Sequence, residues 1–291
     1  MSAPTLGLAL IARDAEETLP ALLASIDGAF DQVVLAIDTA STDATAEVFT
    51  EWAGSQRLPL GYKLEPSEWH HDFARARNEA DALLDTDWLA TADCDEVVVG
   101  ADQLRETVAQ AGAGVAALFF AYRFTTEPDL QTWRARLVRR GSSEWHGRVH
   151  DNRTAEGHGW DADDERLEWI EPEVAHWVHV EPPLQASHLQ RNAEILRRWI
   201  ADEPENPSPI GMLATQEFIY GDRDVALDLF ARHVEIHRPD RSSYEHSRAL
   251  FALRSLDVWA GVEGYSPGTI AVLLDRPAEE WFSASAELVS A

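Results

Sequence analysis

The chain has a single cysteine, Cys94, and a single lysine, Lys63, in 291 residues. One cysteine excludes an intrachain disulfide and any zinc site built on several thiolates, and a reducing compartment is its simplest setting. Long hydrophobic runs are missing too: no uninterrupted apolar segment approaches the roughly 20 residues that span a bilayer. The apolar stretch Leu6 to Ala12 lacks a basic leader and runs directly into Arg13-Asp14. It therefore reads as a buried first strand rather than a signal peptide, and a cytoplasmic location is expected. Positive charge is scarce as well. Lysine and arginine total 24 against 51 aspartates and glutamates, a formal net charge of -27. Such acidity repels nucleic-acid phosphates and anionic lipid over most of the surface, and the sequence displays no basic patch to offset it.

What the chain does have is Asp93-Cys94-Asp95-Glu96, an acidic cluster placed where the apolar run Trp88 to Ala92 stops. Carboxylates this close raise one another's pKa unless a cation or a solvated loop takes up the charge. Asp93 and Asp95 are two apart, so in extended backbone both project to one side and can serve one ion and one ligand together. A solvated acidic turn is the plainer reading of such a pattern taken alone. Its surroundings argue otherwise, because the carboxyl ends of strands are where open α/β sheets bind ligands.

The first hundred residues alternate short apolar runs with helix-period segments, the pattern of βαβ units and a mostly parallel sheet. Strands are predicted at Leu6 to Ala12, Gln32 to Ile37, Leu60 to Leu64 and Trp88 to Ala92, with helices at Glu16 to Ile26, Thr45 to Trp52 and Phe73 to Leu84. Ala101 to Ala111 follows as a helix, then Val115 to Phe124 and Arg134 to Arg139 as strands, with a short third one at Glu144 to His150. The polar stretch Arg153 to Arg166 reads as a loop, either a plain surface loop or a lid, and Val174 to Val180 as a strand. A domain boundary is placed near Glu181, giving an α/β domain at 1-181 and a helical domain at 182-291. Asp38 closes the second strand and suits a base N–H or a sugar hydroxyl; Asp43 reads as the cap of the next helix.

Five blocks then fall in order: Ala12-Arg13-Asp14-Ala15-Glu16-Glu17, Asp38 to Asp43, Trp69 to Asn78, Trp88 to Glu96, and Arg136 to Arg140 with Glu144 to Asp151. Together they resemble the GT-A glycosyltransferases of family 2, especially lipopolysaccharide-core β-glucosyltransferase-like proteins. The resemblance covers about residues 5 to 180. Two departures stand out: Ala40 where the turn usually carries glycine, and Cys94 where alanine is usual. In the helical part, Ile210 to Ala214 followed by Phe218, Gly221-Asp222, Ala226, Phe230 and Pro239 resembles one tetratricopeptide repeat, with a degenerate second copy over Ser243 to Leu274.

The resemblance implies a GT-A nucleotide-diphospho-sugar transferase fold, a UDP-sugar donor, Mn²⁺ or Mg²⁺ as cofactor, and a glycan, lipid-linked or protein acceptor. It implies donor contacts at Ala12, Arg13, Asp14, Asp38, Arg77, Asn78, Asp93 and Cys94, and metal ligation by Asp93, Asp95 and His150. Asp151 is the implied general base, with Glu127 and Asp129 as rivals, and Asp151 as the orienter of His150 is a further reading. Arg77 as a salt-bridge partner of Asp72 or Asp81 also stays open. Trp133, Trp145 and Trp160 are either sugar-stacking or core residues. Set against the transferase are an inactive sugar-nucleotide-binding scaffold acting through its helices, and transfer to DNA bases, which the acidity disfavours.

Overall fold

The computed structural model describes residues 3–126, 131–154, 164–180 and 186–236. The chain forms two compact units, Met1–Leu184 and Gln185–Ala291. The first opens with β1 (Leu6–Ala12), α1 (Leu19–Ser25), β2 (Gln32–Asp38), α2 (Thr45–Ser55), β3 (Tyr62–Ser67), α3 (Phe73–Ala82) and β4 (Trp88–Thr91). β1 pairs in parallel with β2 and β4, and β2 with β3, as alternating apolar runs and helix periods require. Next come β5 (Glu96–Val99), a 3-10 turn (Ala101–Gln103), α4 (Leu104–Gln110), β6 (Ala117–Phe124) and β7 (Gln131–Arg139). β8 (Glu144–His146) and β9 (Asn152–Thr154) form a separate hairpin, and β10 (Leu167–Ile170) and β11 (His176–His179) end the unit. The main sheet runs β3-β2-β1-β4-β7-β6-β11-β5, with β10 also on β6.

Both faces of this sheet are covered, which is why its central strands read as continuous apolar runs rather than alternating ones. Leu6, Leu8 and Leu10 point to Leu19, Leu22 and Leu23 of α1 and Phe49 of α2. Ala9, Val34 and Ala36 meet Ala80 of α3 and Leu84 on the other side. Each fully buried leucine contributes about 1.5–3 kcal/mol. Gly7 sits where the second face is tightest: a Cβ there would come 2.5 Å from Thr86 Oγ1 and 2.7 Å from Leu84 Cδ2.

Several boundaries differ from the sequence expectation for physical reasons. α1 starts at Leu19 rather than Glu16, because Glu16 is committed to the β2–α2 loop: its N–H donates to Asp43 and its carboxylate accepts from Ala44 N. β3 runs past Leu64 to Ser67 and includes Pro66, tolerated because β3 is an edge strand. β5 and β10 were hidden, the first by the acid that opens it. The strand expected over Glu144 to His150 stops at His146, and Arg153, expected in a loop, lies in β9. Asp43 is not the helix cap, which is Ala44; its carboxylate instead accepts from Thr45 N and Thr45 Oγ1.

In the second unit, α5 (Ala186–Asp202), α6 (Pro207–Tyr220) and α7 (Arg223–Ile236) follow one another. Asn206 caps α6 by accepting from Ser208 N, with Pro207 in the first turn where its missing N–H costs nothing. Ala214, Ala226 and Phe230 are buried between α6 and α7, and a Cβ on Gly211 would lie 2.9 Å from the His233 ring, so the helices approach closely. Pro239 and the second copy expected over Ser243 to Leu274 lie outside the described residues. Among the described residues, no helix is long and apolar enough to cross a membrane.

Candidate functional site

The carboxyl ends of β1, β2 and β4 lie side by side, since β1 pairs with both neighbours. Ala12 ends β1, Asp38 ends β2, and the Asp93 to Glu96 cluster follows β4. The β1 and β2 loops are zipped together. Asp14, at φ 47, accepts from Thr42 N at 2.7 Å, and Ala15 N donates to Thr45 Oγ1 at 2.7 Å. The Thr42 N–H holds the Asp14 carboxyl below the usual range. Arg13 Nη1 reaches Asp38 Oδ2 at 3.3 Å, while Asp38 Oδ1 accepts from Ala40 N at 2.9 Å. Ala40 is not among the described residues with positive φ, so the turn dispenses with glycine.

Arg77 joins the two ends of the site. Asp72 caps α3 by accepting from Arg75 N, and the helix so started presents Arg77, whose Nη2 donates to Asp93 Oδ1 at 2.5 Å and whose Nε donates to Asp151 Oδ2 at 2.6 Å. Burial opposes charge on both Arg77 and Asp93, but their pairing wins. Arg77 moves above its ordinary value through Asp93 and Asp151, and Asp93 is held down to about 2 by Arg77 and then Arg136. Arg77 therefore pairs with neither Asp72 nor Asp81. Asp81 accepts instead from Arg153 and Trp145 Nε1.

Asn78 is placed differently from the sequence expectation. Its side-chain amide donates to Trp145 O and accepts from Trp145 N, both at 2.9 Å, so it braces β8 against α3. Trp145 is buried there with the Arg77 and Arg153 guanidiniums 4.9 Å and 4.7 Å from its ring centroid, which makes it a packing residue. Trp133 is exposed; Glu127, Asp129 and Trp160 lie outside the described residues.

Beneath the cluster, Glu96 is fully buried. Arg136 Nη2 donates to one of its oxygens at 2.6 Å and Asp93 N to the other at 3.0 Å. Cys94 is buried and its thiol donates to Ile11 O at 3.4 Å; burial, then Asp93 and Asp95, pushes the thiol well above its ordinary pKa. It serves as packing behind the acids.

The imidazole beside the cluster is that of His179, which the sequence reading passed over. Its Nδ1 lies 3.6 Å from Asp95 Oδ1, and Val180 N donates to Asp95 O at 2.8 Å. His150 is exposed, at φ 52, in the loop between β8 and β9. A histidine closing the last strand of the unit was the available signal; its partner strand β5 was not. Among the described residues no group of three or more His, Cys, Asp or Glu side chains could enclose a metal ion. Asp95 and His179 nonetheless fit one edge of such a site. Among the described residues His179 Nδ1 is buried without a hydrogen-bond partner beside a carboxylate, and ions such as Mg²⁺ take one or two carboxylates and fill the remainder from ligand phosphates and water.

The chain is similar to several known proteins. A TPR repeat-containing protein of Synechococcus elongatus is 29% identical over 275 residues, covering 89% of this chain and 64% of that protein. The structure of S. aureus TarS 1-349 in complex with UDP-GlcNAc superposes with a TM-score of 0.52 at 11% identity, covering 88% of this chain and 92% of that one. Against the longer TarS crystal structure the coverage is 88% of this chain and 53% of that one, at 10% identity and a TM-score of 0.49. The chain thus spans less than two thirds of these longer relatives. The mixed sheet with its flanking helices is the GT-A arrangement, and residues 9–171 match the family described as Glycosyl transferase family 2. With over half its length inside that match, the chain belongs to glycosyl transferase family 2.

Proposed function

We infer that this chain transfers a hexose, glucose by the resemblance, from a UDP-sugar to a hydroxyl of a glycan, lipid-linked or protein acceptor, with inversion and with Mn²⁺ or Mg²⁺. The observation that carries the reading is the meeting of Asp38, Asp93 and Asp95 at one sheet edge with His179 Nδ1 3.6 Å from Asp95. The UDP-GlcNAc bound in the TarS structure is in keeping with a uridine donor.

Asp38, with Arg13 and the Ala12 to Asp14 turn, is assigned the base. Asp93, ionised beside Arg77, is assigned the ribose hydroxyls. The metal ligands are Asp95 and His179, with His179 replacing His150 because its buried nitrogen has no hydrogen-bond partner among the described residues. A divalent ion bound there supplies Lewis-acid neutralisation of the charge that grows on a departing diphosphate. Asp151 is assigned the acceptor proton: Arg77 engages its Oδ2, leaving Oδ1 to receive it. Arg77 then holds donor-side and acceptor-side carboxylates at one spacing, which in-line displacement requires.

The test is UDP release by the purified chain with UDP-glucose, Mn²⁺ and mixed acceptors. Turnover is expected for the wild type and lost in Asp95→Ala, with circular dichroism unchanged. A wild type inert toward every nucleotide sugar, or a fully active Asp95→Ala, sinks the reading.

A further inference from the structure

The Arg134 side chain has no ion-pair partner among the described residues. The residue is exposed on β7, and its guanidinium makes no hydrogen bond among the described residues. The exposed Arg13, Arg75 and Arg166 are each paired with a carboxylate. Arg134 instead lies over an aromatic ring, its guanidinium carbon 4.3 Å from the centroid of Tyr122. Stacking of this kind fixes the plane of the guanidinium and leaves its in-plane N–H donors available.

β7 pairs antiparallel with β4 from Trp88↔Arg139 to Ala90↔Leu137, so Arg134 lies further along β7 toward the end of β4 that carries the acids. The Tyr122 ring beneath it lies 6.2 Å from the ring of His179. Among the charges that outweigh burial at Asp93, that of Arg134 follows those of Arg77 and Arg136. Arg77 and Arg136 are both spent on carboxylates. The Arg134 guanidinium, held by a ring rather than by a carboxylate, has its donors available to an anion from outside.

We propose that Arg134 is an oxyanion-binding residue of the site, contacting a phosphate-type group on a ligand seated at Asp95 and His179. The proposal deepens the donor reading and rests on it only for the ligand's identity: the oxyanion is either the donor's diphosphate or a phosphate on the acceptor. Two or three charge-assisted N–H···O bonds are what a guanidinium offers such a group.

The test is calorimetry on the full chain with Mg²⁺, using inorganic pyrophosphate, UDP and uridine as probes against wild type, Arg134→Gln and Arg134→Lys. Arg134→Gln should weaken pyrophosphate and UDP about tenfold or more while leaving uridine unchanged, with Arg134→Lys recovering part of the loss. If UDP keeps its affinity, inorganic phosphate titrated into UDP-saturated protein should bind the wild type and not Arg134→Gln, which supports the contact and places the oxyanion on the acceptor. Equal affinity of wild type and Arg134→Gln for pyrophosphate, UDP and that added phosphate overturns the proposal, as does loss of uridine binding in step with UDP. A wild type that binds pyrophosphate as tightly as UDP, with the Arg134→Gln effect intact, overturns the donor reading and leaves the contact standing. A wild type that binds none of the probes overturns both.

Discussion

Replacing Arg136 by methionine should expose how the acidic cluster is held. Glu96 and Arg136 are 0% and 5% exposed and 2.6 Å apart, and the guanidinium carbon lies 4.8 Å from the Tyr122 ring centroid and 5.9 Å from that of Trp177. Methionine fills much of the same volume and adapts to irregular space, so the dominant loss is electrostatic. Removing one partner of a buried pair costs about 3–5 kcal/mol, a large share of the ~5–15 kcal/mol that holds a typical domain. Burial already pushes the Glu96 carboxyl up against the pull of Arg136, and without the guanidinium it rises further. A carboxyl whose folded pKa exceeds its unfolded value of about 4.3 stabilises most below that value, and the contribution fades as pH climbs through the folded pKa. Urea unfolding followed by tryptophan fluorescence should therefore show a smaller deficit at about pH 5 than at about pH 8. Adding Glu96→Gln should recover much of the deficit and flatten its pH dependence. A single variant within about 1 kcal/mol of wild type at both pH values, or a deficit that grows toward acid, refutes the argument.

Three further outcomes follow from the site. In the wild type the Asp93 carboxyl should titrate near about 2 by carbon NMR, so its stabilising contribution is in place above its ordinary 3.8 and lost only as pH falls through the lower value; Arg77→Met should bring the titration to 3.8 or above. His179→Ala should weaken Mn²⁺ binding in the presence of UDP by about tenfold or more, whereas His150→Ala should not, as read by calorimetry. Asn78→Ala should cost about 1–2 kcal/mol and speed hydrogen exchange at the Trp145 amide, since both of its bonds to that backbone are lost.

The parallel half of the sheet was legible because its periodicity is local: apolar runs, helix-spaced apolar residues and strand-end acids all lie within a few positions of one another. Asp38 and the Asp93 to Glu96 cluster were found for that reason. His179 was not, because its meeting with Asp95 depends on β5 and β11 pairing across about eighty residues of chain, and β5 begins with an acid that disguises it. Arg77 was found, but its partners were not: Asp93 and Asp151 come from separate elements that only the fold brings to one guanidinium. Asn78 shows the converse. Its motif pointed to a ligand, while two backbone groups of Trp145 consume its side chain.

Cys94 carries a practical corollary. The chain's lone sulfhydryl is sealed behind the acids, tethered to the Ile11 carbonyl and held in its unreactive protonated form. Alkylating reagents attack only the thiolate, so modification must wait until β1 and the segment after β4 part company. Labelling kinetics at this one position thus become an intrinsic clock for opening of this edge of the sheet, with no engineered probe required.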